Sequence, residues 1–136
     1  MNAAATTHGY SGKPLYQKLG LKPGMRCQPI DPPEHYPELV AGVSDVRFMR
    51  RARSADMVHL FCRNRAALDR RIERALACVA AGGMLWVSWP KKSSVLFADL
   101  TEDRLREVIL PRNWVDVKVC AVDRDWSGLK FLRRRG

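Results

Sequence analysis

The stretch Gly82-Gly83-Met84-Leu85-Trp86-Val87-Ser88-Trp89-Pro90-Lys91-Lys92 decides the fold. It holds a glycine pair, an apolar strand-like run over Met84 to Trp89, and then an abrupt change to Pro-Lys-Lys. An amphipathic helical pattern precedes it. A loop, a second helical pattern and another strand follow. A strand set in helix–strand alternation belongs to a mainly parallel sheet with helices on both faces. The glycine pair is expected to end the preceding helix, because the left-handed position after a helix favours a residue without Cβ. Pro90-Lys91-Lys92 then falls at the strand's carboxyl end, where open α/β sheets place their ligands.

Upstream, Asn64 can cap a helix through its side-chain oxygen. Leu68, Ile72, Ala75, Leu76 and Val79 form one apolar stripe, while Arg65, Asp69, Arg70, Glu73 and Arg74 face water. Before that helix, Asp56 to Cys62 reads as a central strand, preceded by the basic loop Arg50 to Ala55 and a short strand, Val46 to Met49. Glu34 to Ala41 reads as a short helix with Pro37 in its first turn. Met25 to Ile30 is a first strand, stopped by Asp31-Pro32-Pro33. Leu15 to Leu19 is a short helix ended by Gly20.

Downstream, Val95-Leu96-Phe97 is expected to pack over the sheet end as a small lid. Thr101 caps a helix with Leu105, Val108 and Ile109 on its buried face, and Pro111 ends it. Trp114 to Val122 is a long, less enclosed strand with Val115, Val117, Val119 and Ala121 on one face. Asp123 to Gly128 reads as a turn, and Leu129 to Leu132 as an antiparallel return. The expected architecture is α/β: a three-layer, Rossmann-like, mainly parallel sheet with helices on both faces and a C-terminal antiparallel pair. The strands at 25–30, 57–61 and 84–89 should be adjacent and central.

The 136 residues suit one domain, expected over 13–133, between a mobile tail at 1–12 and a basic end at 134–136. No apolar run reaches the roughly 20 residues of a membrane span. The N-terminus lacks the apolar core of a secretory signal, so a cytoplasmic location is expected. Lys and Arg total 24 against 14 for Asp and Glu, a formal charge of +10, which favours anionic partners. Cys27, Cys62, Cys78 and Cys120 make no Cys-x-x-Cys pair and read as small hydrophobes rather than metal ligands or disulfides. His59 lies inside a strand with no acidic or nucleophilic partner evident in sequence, so its expected role is structural. No P-loop spacing occurs, and no catalytic constellation stands out.

Two resemblances rest on these residues. Leu21-Lys22-Pro23-Gly24-Met25-Arg26, Ala55-Asp56-Met57-Val58-His59-Leu60-Phe61 and Ala80-Ala81-Gly82-Gly83-Met84-Leu85-Trp86 resemble the first, fourth and fifth strand regions of the S-adenosylmethionine-dependent methyltransferase fold. The resemblance implies a Rossmann-like sheet, here shortened, with one strand where that family has two. It departs at Asp31-Pro32-Pro33-Glu34, which stands where the family has a glycine-rich cofactor turn. Gly9-Tyr10-Ser11-Gly12-Lys13-Pro14-Leu15, Trp86-Val87-Ser88-Trp89-Pro90-Lys91-Lys92 and Trp126-Ser127-Gly128-Leu129-Lys130 resemble the bacterial family called domain of unknown function 3052. That resemblance implies a Rossmann-like fold and no particular activity, cofactor or catalytic residue.

The loops expected at the carboxyl edge hold Asp31, Arg50, Arg51, Arg63, Asn64, Arg65, Lys91, Lys92, Ser93, Ser94, Asp123 and Arg124, and seven of these twelve are Arg or Lys. The candidate ligand residues are therefore Arg50, Arg51, Arg63, Asn64, Arg65, Lys91, Lys92, Ser93 and Arg124, around a phosphate, nucleotide or carboxylate. The leading expectation is a non-catalytic module binding an anionic small molecule, with no cofactor and no metal. One alternative is a methyltransferase with an atypical cofactor pocket. Another is a nucleic-acid-associated or adaptor protein using its basic surface.

Overall fold

Every residue of β3 (Ala55–Phe61) except Asp56 is buried, and its side chains alternate between two cores. Val58 and Leu60 point to one, Met57 and Phe61 to the other. A strand buried on both faces must lie inside a covered sheet, as its unbroken apolar run implies. The computed structural model describes residues 12–51 and 54–135. The other strands are β1 (Arg26–Ile30), β2 (Arg47–Phe48), β4 (Val79–Pro90), β5 (Trp114–Ala121) and β6 (Trp126–Arg133). Their order is β2-β1-β3-β4-β6-β5. The first four in that order pair in parallel, and β6 runs antiparallel to both β4 and β5. The mainly parallel sheet and its antiparallel C-terminal pair are thus as expected.

On the first face, α3 (Arg65–Ala77) and α4 (Glu102–Ile109) set Leu68, Ile72, Leu105 and Ile109 against Leu60, Leu85 and Val87. Asn64 and Thr101 cap these helices, accepting from Ala67 N at 2.8 Å and Arg104 N at 3.2 Å. On the second face, α1 (Leu15–Leu19) and α2 (Tyr36–Leu39) bring Leu19 and Tyr36 onto Cys27, Met57 and Trp86. The fully buried Trp86 indole donates to Leu19 O at 2.9 Å, fastening α1 to β4. Burying such a ring removes about 150–250 Å² from water, worth about 4–6 kcal/mol at the usual coefficient.

Several local expectations are corrected. The glycine pair does not end α3. The helix stops at Ala77, and β4 begins at Val79, paired with Ala55. The next pair is Met57 with Met84, so β4 spends five steps where β3 spends two and bulges between them. Gly82 takes φ 77°, and a Cβ on Gly83 would lie 2.8 Å from Asp56 O. Trp126-Ser127-Gly128 is not a turn but the start of β6. Gly128 lies where a Cβ would come within 3.2 Å of both Trp86 and Val122. Arg133, the last residue of the expected domain, is anchored rather than loose. It ends β6, and its guanidinium donates to Val79 O at 2.7 Å and Ala80 O at 3.1 Å, holding the β4 bulge.

In β5, Asp116 opposes Phe131 and Lys118 opposes Lys130, leaving Val117 as an extra residue. The bulge switches faces, so Asp116 meets Arg106 of α4 whereas Lys118 reaches Lys18 O in α1. The four residues expected on one face therefore do not share it, and Val117 and Val119 are exposed on this edge strand. Val95 is exposed and covers nothing, while Leu96 packs beside the second core. Apart from Gly12, the expected N-terminal tail and the motif Gly9-Tyr10-Ser11 lie outside the described residues. No helix among the described residues is long and apolar enough to cross a membrane.

One connection shapes the surface. β2 pairs only with Arg26 and Cys27 at the start of β1, and among the described residues the chain then returns to β3 with no helix between the two strands. A parallel crossover ordinarily carries a helix that covers the sheet. Here the outer half of β1, Gln28 and Ile30, is left without one on the α3 face.

Candidate functional site

The uncovered part of β1 is the floor of a cleft of about 720 Å³. Gln28 and Asp31 come from β1 and its end, Arg50 and Arg51 from the short crossover, and Arg71 and Arg74 from the adjacent side of α3. Arg71 and Arg74 share that side because residues three apart are neighbours on a helix. Gln28 is 4% exposed; its amide nitrogen donates to Pro29 O at 2.8 Å and to Arg50 O at 3.0 Å, which pins the crossover. Its Oε1 is buried and has no hydrogen-bond partner. Such a group ordinarily costs about 1–3 kcal/mol.

Among the described residues, Asp31 is the only carboxylate lining this cleft, and it accepts from Arg71 Nε at 3.0 Å. It adopts φ 53°, a left-handed backbone that Asp tolerates better than most residues. Among the described residues, no carboxylate forms an ion pair with Arg50, Arg51 or Arg74. Four guanidinium groups thus line one volume with a single acid to balance them.

A second cavity, of about 350 Å³, adjoins the first and shares Asp31 and Arg71 with it. Pro32, Pro33, Arg63, Asn64 and Arg70 also line it. Two of the N–H groups at the start of α3 are already taken by side chains of this chain. Asn64 Oδ1 already accepts from Ala67 N, and Asp99 Oδ1 accepts from Arg65 N at 2.9 Å. The Asp99 carboxylate thus occupies an N–H that an external anion could otherwise take.

The nine expected ligand residues therefore do not surround one volume. Arg50 and Arg51 line the first cleft; Arg63 and Asn64 line the second. Lys91 and Lys92 border a separate hollow that also holds Glu102 and Asp103, which offset their charge. Ser93 and Arg124 border another with Ser94 and Asp125, where Ser94 Oγ donates to Asp125 Oδ1 at 2.9 Å. Arg65 lines none of these. The residues that sequence reasoning missed are Gln28, Arg70, Arg71 and Arg74. Their signal was a run of arginines flanking the apolar stripe of α3, facing a crossover too short to hold a helix.

His59 is fully buried in a chain of polar groups. Its Nδ1 lies 3.0 Å from Tyr36 Oη and its Nε2 lies 2.7 Å from Ser88 Oγ. Phe61 stacks on the imidazole with centroids 4.3 Å apart. Burial pushes the His59 pKa down to about 3, so the ring is neutral and able to hydrogen-bond at both nitrogens. The spacing resembles a nucleophile–base pair, but Ser88 is wholly buried. The network ties α2, β3 and β4 together and gives no substrate access.

At the β5–β6 turn, Asp123 accepts from Asp125 N at 2.8 Å and Trp126 N at 2.9 Å, and lies 2.9 Å from His35 Nε2. Burial raises its pKa, but the hydrogen bonds from His35 and the two backbone groups outweigh that and leave it lowered. This carboxylate fixes the β5–β6 turn and is committed to it.

The fold that the sequence resembles implies S-adenosylmethionine, and the residues present do not fit it. The turn after β1 offers Pro32 and Pro33, which have no N–H to give. Beyond β2, where Rossmann-type sites place an acid for the ribose hydroxyls, stand Arg50 and Arg51. The adjoining cavities are arginine-lined, which disfavours a sulfonium cation.

No family model and no curated protein matches this sequence, so the resemblance to domain of unknown function 3052 gains no support there. Solved structures do match. A SAM-dependent methyltransferase from Aquifex aeolicus aligns with TM-score 0.57 at 12% identity over 85% of each chain. A fibrillarin pre-rRNA processing protein from Methanococcus jannaschii aligns with TM-score 0.56 at 9% identity, over 95% of this chain and 72% of that one. A ribosomal protein L11 methylase from Lactobacillus delbrueckii aligns with TM-score 0.54 at 10% identity, over 88% of this chain and 74% of that one. At such identities the likeness is one of fold: this chain has a methyltransferase-like Rossmann fold.

Proposed function

We propose that this protein binds a small multivalent anion, a phosphate or carboxylate compound, in the cleft between β1, the β2–β3 crossover and α3. The observation that carries the reading is the convergence of Arg50, Arg51, Arg71 and Arg74 on one volume where, among the described residues, Asp31 is the only acid. Like charges held together repel, and at about 0.1 M salt the repulsion persists over about 10 Å. A bound anion relieves it and accepts charge-assisted, often bidentate, hydrogen bonds that guanidinium groups are shaped to give. A volume of about 720 Å³ is within the usual range of small-molecule sites.

The reading keeps the anion and relocates it. Lys91 and Lys92 lie beside two acids, whereas the arginine cleft is nearly unbalanced. The test is thermal unfolding with pyrophosphate against sodium chloride at equal ionic strength. Pyrophosphate should raise the melting temperature further, and the increment should vanish in an Arg50→Gln, Arg51→Gln, Arg74→Gln variant. It should persist in Lys91→Gln, Lys92→Gln and in Arg134→Gln, Arg135→Gln. An increment that survives in the cleft variant would end this reading in favour of diffuse surface charge.

A methyltransferase with an unusual pocket is the second reading, favoured by the fold likeness alone. Calorimetry decides it: a stoichiometric, micromolar complex with S-adenosylmethionine would support it, and no heat at sub-millimolar ligand would dismiss it.

A further inference from the structure

We propose that the two arginine-lined cavities are one groove, and that its ligand is a linear chain of linked phosphates rather than a compact anion. The inference rests on the anion site proposed above and names its substrate class. The cavities are contiguous, because Asp31 and Arg71 belong to the walls of both. Arg70 lines one, Arg74 the other, and Arg71 both. Residues 70 and 74 are about one helical turn apart, about 6 Å along the axis. The guanidinium groups therefore follow α3 as a row: Arg63 at the carboxyl end of β3, then Arg70, Arg71 and Arg74. The row is prolonged across the cleft by Arg50 and Arg51.

A single phosphate placed at one end of this row leaves the other end uncompensated. A chain carrying a charge on each unit meets the row along its length. The ion pair between Asp31 and Arg71, at 3.0 Å, is the partition between the two halves. Both side chains are part-exposed, at 47% and 37%, so the pair can open at little cost when a phosphate competes for Arg71.

The groove also argues against a nucleobase. Stacking on an aromatic face is the usual way a protein holds an unpaired base. The aromatic residues bordering these cavities are Phe61 and Trp126, each 3% exposed. Phe61 is packed edge-on against Trp126 and face-on against His59, so neither offers a free face beside the arginines. What remains are guanidinium donors, which read charge alone.

The test is calorimetry with inorganic pyrophosphate, tripolyphosphate and a longer linear polyphosphate at one ionic strength. Tripolyphosphate and the longer chain should bind at least about tenfold tighter than pyrophosphate, as expected when linked groups engage neighbouring sites. Arg63→Gln, Arg70→Gln should abolish that gain and leave pyrophosphate affinity unchanged. Arg50→Gln, Arg51→Gln should weaken all three ligands. Circular dichroism and the melting temperature identify any variant that fails to fold, and Arg70→Lys, which keeps the charge, should restore most of the gain. Equal affinity across the three ligands, or a gain that Arg63→Gln, Arg70→Gln does not touch, would overturn the groove while leaving the anion site standing. No pyrophosphate binding at all would remove the site itself. An oligothymidylate of equal charge that binds tighter than the polyphosphate would also overturn the proposal, in favour of a nucleic-acid backbone.

Discussion

Replacing Asp31 with Asn isolates the charge that tunes the cleft. The backbone should not move, since φ is 53° there and Asn accepts left-handed geometry as readily as Asp. The ion pair to Arg71 is lost, but with side chains 47% and 37% exposed its worth is at most about 1 kcal/mol. Against that, an anion in the cleft no longer faces a carboxylate. For unit charges about 7 Å apart the repulsion is about 0.6 kcal/mol in water and several times more at the effective dielectric of a protein surface. Arg71 also becomes free to bond the ligand. Pyrophosphate affinity should therefore rise about threefold to tenfold, while stability falls by less than about 1 kcal/mol. Calorimetry at low salt measures the first and urea unfolding the second. Unchanged or weaker binding by a folded Asp31→Asn protein would show that the anion does not sit beside Asp31, and the cleft assignment would fail.

Three predictions concern the fold that presents the cleft. Trp86→Phe deletes the donor to Leu19 O and opens a cavity in the second core, so it should cost about 2–4 kcal/mol by urea unfolding; a loss below about 0.5 kcal/mol would mean that α1 is held by something else. Gly83→Ala places a methyl 2.8 Å from Asp56 O and should cost about 1–3 kcal/mol, whereas a neutral result would show that the β4 bulge yields freely. His59 is held neutral by burial, with its pKa at about 3 against 6.5 for an ordinary histidine, so the unfolded chain binds the proton more readily. Its contribution is fully present above about pH 6.5 and is lost as pH falls towards 3, at up to about 1.4 kcal/mol per unit. Urea unfolding between about pH 7 and pH 5 should show this slope, reduced in His59→Gln; identical slopes would contradict the buried neutral imidazole.

The parts legible in the sequence are those whose causes are local. Asn64 and Thr101 are caps because their side-chain oxygens reach a backbone N–H three residues on, which needs no tertiary information. The apolar run at 57–61 announces a strand covered on both faces. The misreadings arise where two local patterns coincide. Val79 continues the helical period of α3 yet starts β4, because in either structure it lands in the same core. The glycine pair signals a positive φ, which a helix end and a strand bulge use equally. The partners of His59 are 23 and 29 residues away in the chain, so its hydrogen-bond network had no sequence signature.

The site follows the same logic. The basic loops at the carboxyl edge can be counted from sequence, but which of them share a volume depends on the sheet order and on what covers it. Arg70 and Arg74 read as water-facing because one helix in isolation has only an apolar face and a polar face. The short return from β2 to β3 turns the border between those faces into the wall of a cleft. Asp99 shows the converse, since nothing near Arg65 in sequence announces that a loop 34 residues away will cap that helix.

The central claim, that the arginine cleft holds an anion, is tested most directly by a crystal soaked in tungstate, whose anomalous signal locates a tetrahedral dianion without assumptions. The account predicts the strongest site between Arg50, Arg51, Arg71 and Arg74, above Gln28, with the peak lost in the Arg50→Gln, Arg51→Gln, Arg74→Gln crystals. Tungstate found instead beside Lys91 and Lys92, or only on scattered surface arginines with the cleft empty, would contradict it.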